Sequence, residues 1–157
     1  MIPSILFVCL GNICRSPAAE GILRHLAQKE GVEVHIESCG LGDWHKGNLP
    51  DERMREVLKN RGVFLTSRAQ KIQPEFFNRF DLIFVADHKV LNELYKYADK
   101  PEYKAKMHFI THFSTAFYDQ EVPDPYYEGE AGFENVADML EDSCKGIITH
   151  LRETGKI

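Results

Sequence analysis

The start of the chain contains the stretch that decides the fold, Ile5-Leu6-Phe7-Val8-Cys9 followed by Leu10-Gly11-Asn12-Ile13-Cys14-Arg15-Ser16-Pro17. The apolar run at 5–9 is too short for a helix and predicts a strand that is buried on both faces. The segment 10–15 contains a glycine and predicts a loop. Ser16 and Pro17 predict the start of a helix, with the serine at the N-cap and the proline at the first helical position.

Strands and helices alternate along the rest of the chain. Apolar residues at helical spacing predict a first helix that ends at Gly31, and further strands are predicted over 34–38, 82–86 and 107–111. Helices are predicted over about 51–61, after the strand 82–86, and along the closing segment from Phe133. This alternation predicts right-handed crossovers and an α/β fold with a parallel sheet between helices. Ligands of such folds bind beyond the carboxyl ends of the strands.

Composition places the chain among ordinary globular proteins. Its 157 residues fit one domain, residues 1–157, and 43% hydrophobic with 27% charged residues argues against disorder. No apolar run is long enough to cross a bilayer and no signal-peptide pattern is present, so we expect a cytoplasmic protein without a membrane partner. The net charge of −5 argues against a nucleic-acid partner, and the chain is expected to be a monomer. Its four cysteines do not resemble a disulfide framework.

The segment from Cys9 to Ser16 has the form Cys-x5-Arg-Ser between a buried strand and a helix start. Such a loop can point successive backbone N–H groups inward and form an anion-binding nest, and Gly11 permits the turn. Arg15 closes the loop, where its planar guanidinium can hold two oxygens of an oxyanion. The helix N-terminus and this cation would favour the thiolate of Cys9, a nucleophile toward phosphorus. The alternative is an unreactive buried cysteine that ends a strand.

Motifs near both ends of the chain resemble those of the low-molecular-weight protein tyrosine phosphatases. The likeness rests on the stretch from Val8 to Pro17, with Ala19-Glu20 behind it, and on the late Asp124-Pro125-Tyr126-Tyr127. Between them, in the expected order, come Ser38, Asp43-Trp44-His45, Pro50-Asp51 and the Asp87 segment. The resemblance implies a single doubly wound, flavodoxin-like α/β domain with a four-stranded parallel sheet flanked by helices. It also implies hydrolysis of phosphotyrosine without a metal or cofactor.

The same resemblance assigns roles to individual residues. It implies that Cys9 is the nucleophile that forms a phosphocysteine, Arg15 the phosphate clamp and Asp124 the general acid and base. The expected phosphate-binding loop comprises Leu10, Gly11, Asn12, Ile13, Cys14 and Ser16, supported by Ser38. The expected walls of the substrate pocket are Trp44, Tyr126 and Tyr127. The substrate would be a phosphotyrosine-containing protein or a small aryl phosphate. Where the family often has alanine this chain has Cys39, so the packing there is expected to differ.

Several of these residues also have simpler interpretations. Asp124 between two prolines is typical of a turn, and the aromatic side chains are also consistent with ordinary packing. Cys14 is either a packing residue or the partner of Cys9 in a reversible disulfide. His108 and His112 are predicted on and just past a strand, where their spacing would not bring two ligands together, so we assign no metal site.

Two other functions compete with the phosphatase hypothesis. An arsenate reductase on the same fold would need relay cysteines, and the segment 87–101 after the third predicted strand contains none. A phosphate-binding module that has lost catalysis would have no need of a nucleophile. The joint presence of Cys9, Arg15 and Asp124 argues against such a module, and the Asp124-Pro125 motif favours ester hydrolysis over arsenate reduction.

Overall fold

A computed structural model describes residues 1–157, apart from the side chain of Tyr127. Strands and helices alternate along the chain, as the periodicity predicts. The elements are β1 (Ser4–Cys9), α1 (Arg15–Glu30), β2 (His35–Gly40), α2 (Glu52–Lys59), α3 (Phe76–Arg79), β3 (Leu82–Val85), α4 (His88–Tyr97), α5 (Pro101–Lys104), β4 (Met107–Phe109), two 3-10 turns (Ile110–Phe113 and Pro125–Tyr127) and α6 (Gly129–Glu153).

The strands form one parallel sheet in the order β2-β1-β3-β4. β1 is central and pairs with both β2 and β3, so that Val8 lies between Cys39 and Val85. Every residue of β1 after Ser4 is buried, as expected for a strand with helices on both faces. The prediction of an α/β domain with a four-stranded parallel sheet is therefore confirmed. The strand order, which periodicity does not encode, places Cys9 at the middle of the carboxyl edge.

Helices cover the two faces of the sheet and enclose two hydrophobic cores. On one face α1 and α6 pack around Phe7, Phe84 and Phe133. On the other face α3 and α4 pack around Leu6 and Phe80. Side chains alternate between the faces along a strand, so Cys9 shares the α1 side with Phe7. None of the helices in the described part of the chain has the length and apolar character needed to span a membrane.

The first helix begins differently from the prediction and ends where predicted. Its N-cap is Cys14, which makes no side-chain capping bond, and both Arg15 and Ser16 are helical. The expectation that Ser16 is the N-cap is therefore wrong, because the serine hydroxyl is bonded to other side chains, described below. Gly31 caps the C-terminus with φ of 68°, a left-handed conformation that glycine adopts without strain.

Other element boundaries also differ from the sequence prediction. β2 extends to Gly40, while β4 ends at Phe109 because a 3-10 turn begins at Ile110. Helix α2 is shorter than predicted, and Asp51 caps it by accepting the backbone N–H of Arg53 at 2.8 Å. The helices α3 and α5 are only four residues long, so they carry too little periodicity to be predicted.

His108 and His112 lie closer together than the prediction assumed. Their rings are stacked, with centroids 4.6 Å apart, because the 3-10 turn brings the second ring back over the first. The prediction that their spacing keeps these two side chains apart is therefore wrong. Among the residues that the structure describes, no group of three or more histidine, cysteine or acidic side chains is arranged to hold a metal ion.

Candidate active site

The loop between β1 and α1 forms the floor of a cavity at the carboxyl edge of the sheet. The cavity has a volume of about 280 Å³. It is lined by Cys9, Leu10, Gly11, Ile13, Cys14, Arg15, Trp44, His45, Asp124 and Tyr126. These residues come from three segments that are far apart in the sequence and that each follow a parallel strand. The expectation for Tyr127 concerns a side chain that lies outside the described residues.

Cys9 lies at the end of β1 with its sulfur 2.9 Å from the hydroxyl oxygen of Ser16. Ser16 belongs to the first turn of α1, so the sulfur sits at the N-terminal end of a helix of 16 residues. The N-terminus of a helix carries a partial positive charge. A thiolate in this position would be stabilised by the helix dipole and by a hydroxyl that can donate a hydrogen bond to it.

Asn12 fixes the shape of the loop. Its φ is 57°, in the left-handed region that asparagine tolerates better than most residues. Its side-chain amide donates to the hydroxyls of Ser16 at 2.8 Å and Ser38 at 2.9 Å. Its side-chain oxygen accepts the backbone N–H of Gln70 at 2.9 Å. Ser38 in turn donates to the buried carboxylate of Glu20. These contacts tie the loop to α1, to β2 and to the segment before α3.

Arg15 is a buried arginine whose charge is partnered. Its Nη1 donates to a carboxylate oxygen of Asp87 at 2.6 Å and to the backbone oxygen of Val122 at 2.9 Å. Burial opposes the charged form, but the negative charges of Cys9, Asp87 and Asp124 outweigh it, so the pKa of Arg15 is raised. The guanidinium is therefore held in one orientation and remains charged beside the cavity.

Asp124 reaches the cavity from the irregular segment that follows the first 3-10 turn. Its carboxylate accepts the backbone N–H of Tyr126 at 3.1 Å and caps the turn Pro125–Tyr127. This contact agrees with the simpler interpretation of Asp124 as a turn residue. The same side chain nevertheless lines the cavity together with Cys9 and Arg15. Its capping contact and its position at the cavity are thus compatible.

Two exposed aromatic side chains flank the mouth of the cavity. Trp44 is 67% exposed and Tyr126 is 46% exposed. Trp44 packs over Gly42, where a Cβ atom would lie 2.2 Å from the indole ring. Leu10 and Ile13 add apolar surface to the same wall. An open apolar mouth of this kind suits an aromatic group of a ligand.

The other cysteines differ from Cys9 in their surroundings. Burial raises the pKa of the Cys14 thiol, and the charge of Cys9 adds to the effect. Burial likewise raises the pKa values of Cys39 and Cys144. These three groups are therefore thiols at neutral pH. Cys39, where the resemblance implied a difference in packing, is fully buried beside the loop, and its backbone oxygen lies 3.4 Å from the Ser16 hydroxyl.

Three residues of the site were not assigned a role from the sequence. Asp87, the partner of Arg15, comes directly after a predicted strand, and an acidic residue at a carboxyl edge was a usable signal. Glu20 lies four positions after Ser16, so its carboxylate falls on the buried face of α1, and this spacing too was readable. Gln70, which holds Asn12 through its backbone and the Ser38 carbonyl through its side chain, lies in an irregular segment that gave no signal.

The chain is similar to other proteins along nearly its whole length. Residues 4–156 match the family described as low molecular weight phosphotyrosine protein phosphatase. A protein of that name from Schizosaccharomyces pombe is 41% identical over 148 residues, which cover 92% of this chain and 94% of that protein. A crystal structure of a protein tyrosine phosphatase from Entamoeba histolytica superposes with a TM-score of 0.92 and 41% identity over 99% of both chains. A Drosophila arginine phosphatase superposes with a TM-score of 0.87 and 32% identity, covering 94% of this chain and 97% of that chain.

Proposed function

Because this chain belongs to the low molecular weight phosphotyrosine protein phosphatase family, we propose that it hydrolyses phosphotyrosine and small aryl phosphates through a phosphocysteine on Cys9. As a member of that family it is a cysteine-dependent, metal-independent hydrolase. One observation carries the proposal: the Cys9 sulfur lies at the N-terminus of α1, and Arg15 and Asp124 line the same cavity.

In the first step the thiolate of Cys9 attacks phosphorus in line with the aryl oxygen. The S–P bond forms as the P–O bond to the aryl group breaks, and the electron pair of that bond stays on the leaving oxygen. Asp124, in its protonated form, donates a proton to this oxygen, so that a neutral phenol leaves. The enzyme is left with a phosphocysteine and an Asp124 carboxylate.

In the second step water attacks the phosphocysteine. The Asp124 carboxylate accepts a proton from the water as the new P–O bond forms and the S–P bond breaks. The electron pair of the S–P bond returns to sulfur, which restores the thiolate. Inorganic phosphate leaves, and Asp124 is again protonated for the next cycle.

Arg15 and the backbone N–H groups of the loop stabilise the charge on the equatorial phosphate oxygens in both steps. Both N–H bonds of the Arg15 Nη1 atom are directed to Asp87 and Val122. The edge of the guanidinium formed by Nε and Nη2 is therefore the one that would hold two oxygens of the phosphate. Such a preorganised cation favours the transition state, where the oxygens carry more charge than in the ground state.

The mouth of the cavity supports an aryl phosphate as the substrate. Trp44 and Tyr126 present aromatic surface beside the apolar side chains of Leu10 and Ile13. A phosphotyrosine ring would bury apolar area against these walls. Because one similar protein is an arginine phosphatase, a phosphoarginine peptide is the proper competing substrate. We expect the phosphotyrosine peptide to be preferred.

The test is hydrolysis of p-nitrophenyl phosphate and of the two phosphopeptides in the presence of a chelator, with vanadate as inhibitor. Cys9→Ser should abolish turnover while phosphate or vanadate binding survives. Cys144→Ser, which removes a thiol buried away from the cavity, is the matched control and should retain turnover. Turnover by Cys9→Ser at the wild-type rate would refute the proposed nucleophile.

The intermediate can be trapped directly. Asp124→Ala lacks the base for the second step, so a substrate with a good leaving group should leave phosphate on the enzyme. Mass spectrometry after an acid quench should find one phosphoryl group on the peptide that contains Cys9. Phosphate on another residue would overturn the mechanism.

We further propose that residues 1–157 act as one phosphatase domain and as a monomer. A cytoplasmic location stays a prediction.

A further inference from the structure

The segment that carries Asp124 is anchored to the rest of the fold on each side of this residue. On the side before Asp124, the backbone of Val122 donates to the Ala86 carbonyl at 2.8 Å and accepts from Arg15 at 2.9 Å. On the side after it, the guanidinium of Arg53 donates to the backbone oxygen of Tyr126 at 3.0 Å. The second anchor comes from α2, an element that the proposed mechanism does not use.

Arg53 makes several contacts at once, which fix the plane of its guanidinium. Its Cζ atom lies 4.9 Å from the centre of the Tyr126 ring and 4.6 Å from the centre of the Phe133 ring. Its Nη2 and Nε atoms donate to both carboxylate oxygens of Asp51, at 3.0 and 3.2 Å. A guanidinium that is both hydrogen-bonded as a fork and stacked on aromatic rings has little rotational freedom.

Asp51 connects this arrangement to the phosphate-binding loop. Its backbone N–H donates to the carbonyl oxygen of Ile13 at 2.6 Å. Burial raises the pKa of the Asp51 carboxyl, but the hydrogen bonds and charge of Arg53 lower it by more, so this partner of Arg53 stays ionised. A continuous path therefore runs from the loop at Ile13 through Asp51 and Arg53 to Tyr126. Tyr126 donates its own N–H to Asp124.

We propose that Arg53 is a positioning residue that holds the Asp124–Tyr126 segment at a fixed distance from the phosphate-binding loop, an inference that rests on the proposed phosphatase function. Arg53 does not touch the reacting atoms. It acts through Asp124, whose proton must reach the leaving oxygen, by holding the backbone of Tyr126, which donates its N–H to that carboxylate. Loss of Arg53 would leave the nucleophile intact and impair proton transfer.

The alternative is that Arg53 only stabilises the fold by joining α2 to α6. The chain offers a matched control for this alternative. Arg61, just after α2, binds Glu134, Asp138 and Glu141 of α6. Arg61→Met removes an α2–α6 connection of the same residue type. It should lower the melting temperature without changing the dependence of the rate on the leaving group.

The experiment measures kcat/KM for aryl phosphates whose phenols span a wide range of acidity. Good leaving groups need little protonation, whereas poor ones depend on the acid, whose contribution is typically about 100-fold or more. Arg53→Met should lose about 10-fold or more on the poorest leaving group and about 3-fold or less on the best, because only the acid-dependent part is affected. Arg53→Lys keeps a charge but not the fork, so it should fall between wild type and Arg53→Met.

A double variant separates this inference from a structural effect. In an Asp124→Ala background the acid is already absent, so Arg53→Met should cause little further loss on poor leaving groups. Equal losses from Arg53→Met on all substrates, or full additivity with Asp124→Ala, would overturn the positioning role. If Arg53→Met does not fold, Arg53→Lys gives the same test. Absence of Cys9-dependent turnover in the wild type would instead refute the proposed function itself.

Discussion

The sulfur of Cys9 and the hydroxyl oxygen of Ser16 lie 2.9 Å apart at the first turn of α1. Asn12 donates its amide to the same hydroxyl. Because the amide hydrogen bond occupies an acceptor position of the serine oxygen, the serine proton is left to donate, and the thiolate is one of its neighbours. The hydrogen bond from Asn12 therefore favours a serine hydroxyl whose proton is available to the Cys9 sulfur.

Ser16→Ala is expected to slow both turnover and alkylation of Cys9 at neutral pH. A hydrogen bond to a charged group contributes about 1.5–3 kcal/mol, which corresponds to about 10- to 100-fold in kcat/KM if it is made only to the thiolate. Iodoacetate labelling followed by peptide mapping measures the reactivity of Cys9 separately from substrate binding. Unchanged labelling and unchanged turnover would show that the Ser16 hydroxyl does not serve the thiolate.

Asp87→Ala should weaken anion binding because it removes the charge partner of a buried arginine. Breaking a buried ion pair typically costs about 3 kcal/mol or more, although the partial exposure of Asp87 reduces this figure. Asp87 accepts Arg15 on one carboxylate oxygen and the backbone N–H of Val90 on the other, at 2.9 Å, and Asp87→Asn keeps one of these two acceptors. Its loss of stability in urea should therefore be smaller than that of Asp87→Ala. Vanadate affinity measures the effect on Arg15, and equal affinity in wild type and both variants would contradict the expectation.

Two substitutions of Asn12 separate backbone strain from hydrogen bonding. Both Asn12→Gly and Asn12→Ala remove the bonds to Ser16, Ser38 and Gln70, so both should lower activity. Alanine must in addition hold a φ of 57°, at a cost of about 1 kcal/mol or more. Urea unfolding should find Asn12→Ala less stable than Asn12→Gly by roughly that amount. The reverse order would mean that the loop relaxes out of its left-handed conformation.

Gly40→Ala should displace the phosphate-binding loop. A Cβ at this position would lie 2.9 Å from the backbone of Gly11 and of Leu10, and 3.0 Å from the Asn12 nitrogen. Backbone atoms cannot rotate away as a side chain can, so the loop itself must move. Displacement of a catalytic group by about 1 Å can cost about 100-fold in rate, so a loss of about 10-fold is expected even for a smaller shift. Steady-state kinetics with a thermal melt as control distinguish a moved loop from an unfolded protein.

Stability is expected to fall in mild acid because of His108 and His150. Burial, and then the neighbouring histidines, lower the pKa of His108 below its ordinary value of 6.5, and burial does the same for His150. Asp119 near His108, and Glu153 near His150, oppose the shifts without reversing them. As the pH falls below 6.5, the unfolded chain takes up protons that the folded chain excludes. The stability present above that pH is therefore lost as the pH falls toward the folded-state pKa values.

Urea unfolding at about pH 7.5 and about pH 5.5 measures this effect in a range where carboxyl groups change little. His108→Asn should reduce the difference between the free energies of unfolding at the two pH values. His25→Asn, which changes an exposed histidine on α1, is the control and should leave the difference unchanged. An unchanged difference in His108→Asn would mean that other groups cause the acid sensitivity.

The sequence was sufficient to predict the α/β class, the strand at 5–9, the loop that follows it and the closing helix. These features depend on local periodicity and on turn chemistry, which are properties of short segments. The position of Asp87 after a strand makes it a candidate for the site, but neither the strand order nor the pairing of Asp87 with Arg15, 72 positions away, could be predicted. Their meeting depends on β1 and β3 being neighbours, which only the packed sheet decides.

The error at Ser16 has a specific physical reason. Serine before proline is a good N-cap signal, but a capping serine uses its oxygen to accept a backbone N–H of its own helix. Here the oxygen accepts the Asn12 amide and faces the Cys9 sulfur, so the helix starts earlier without a side-chain cap. A local rule was overridden by contacts within the site. Such exceptions are typical of functional positions, where local preference and function compete.

Because β1 is a central strand, we expect it to resist local unfolding better than the segment around Asp124 does. Its amides, bonded to strands on both sides, should exchange with solvent only on global unfolding, whereas the segment around Asp124 is anchored in part by exposed side chains such as Arg53 and can open locally. Under mildly denaturing conditions, proton donation by Asp124 should therefore be lost before anion binding by the phosphate-binding loop. Hydrolysis of substrates with poor leaving groups would be lost first, while the phosphate-binding loop at the end of β1 would still bind vanadate.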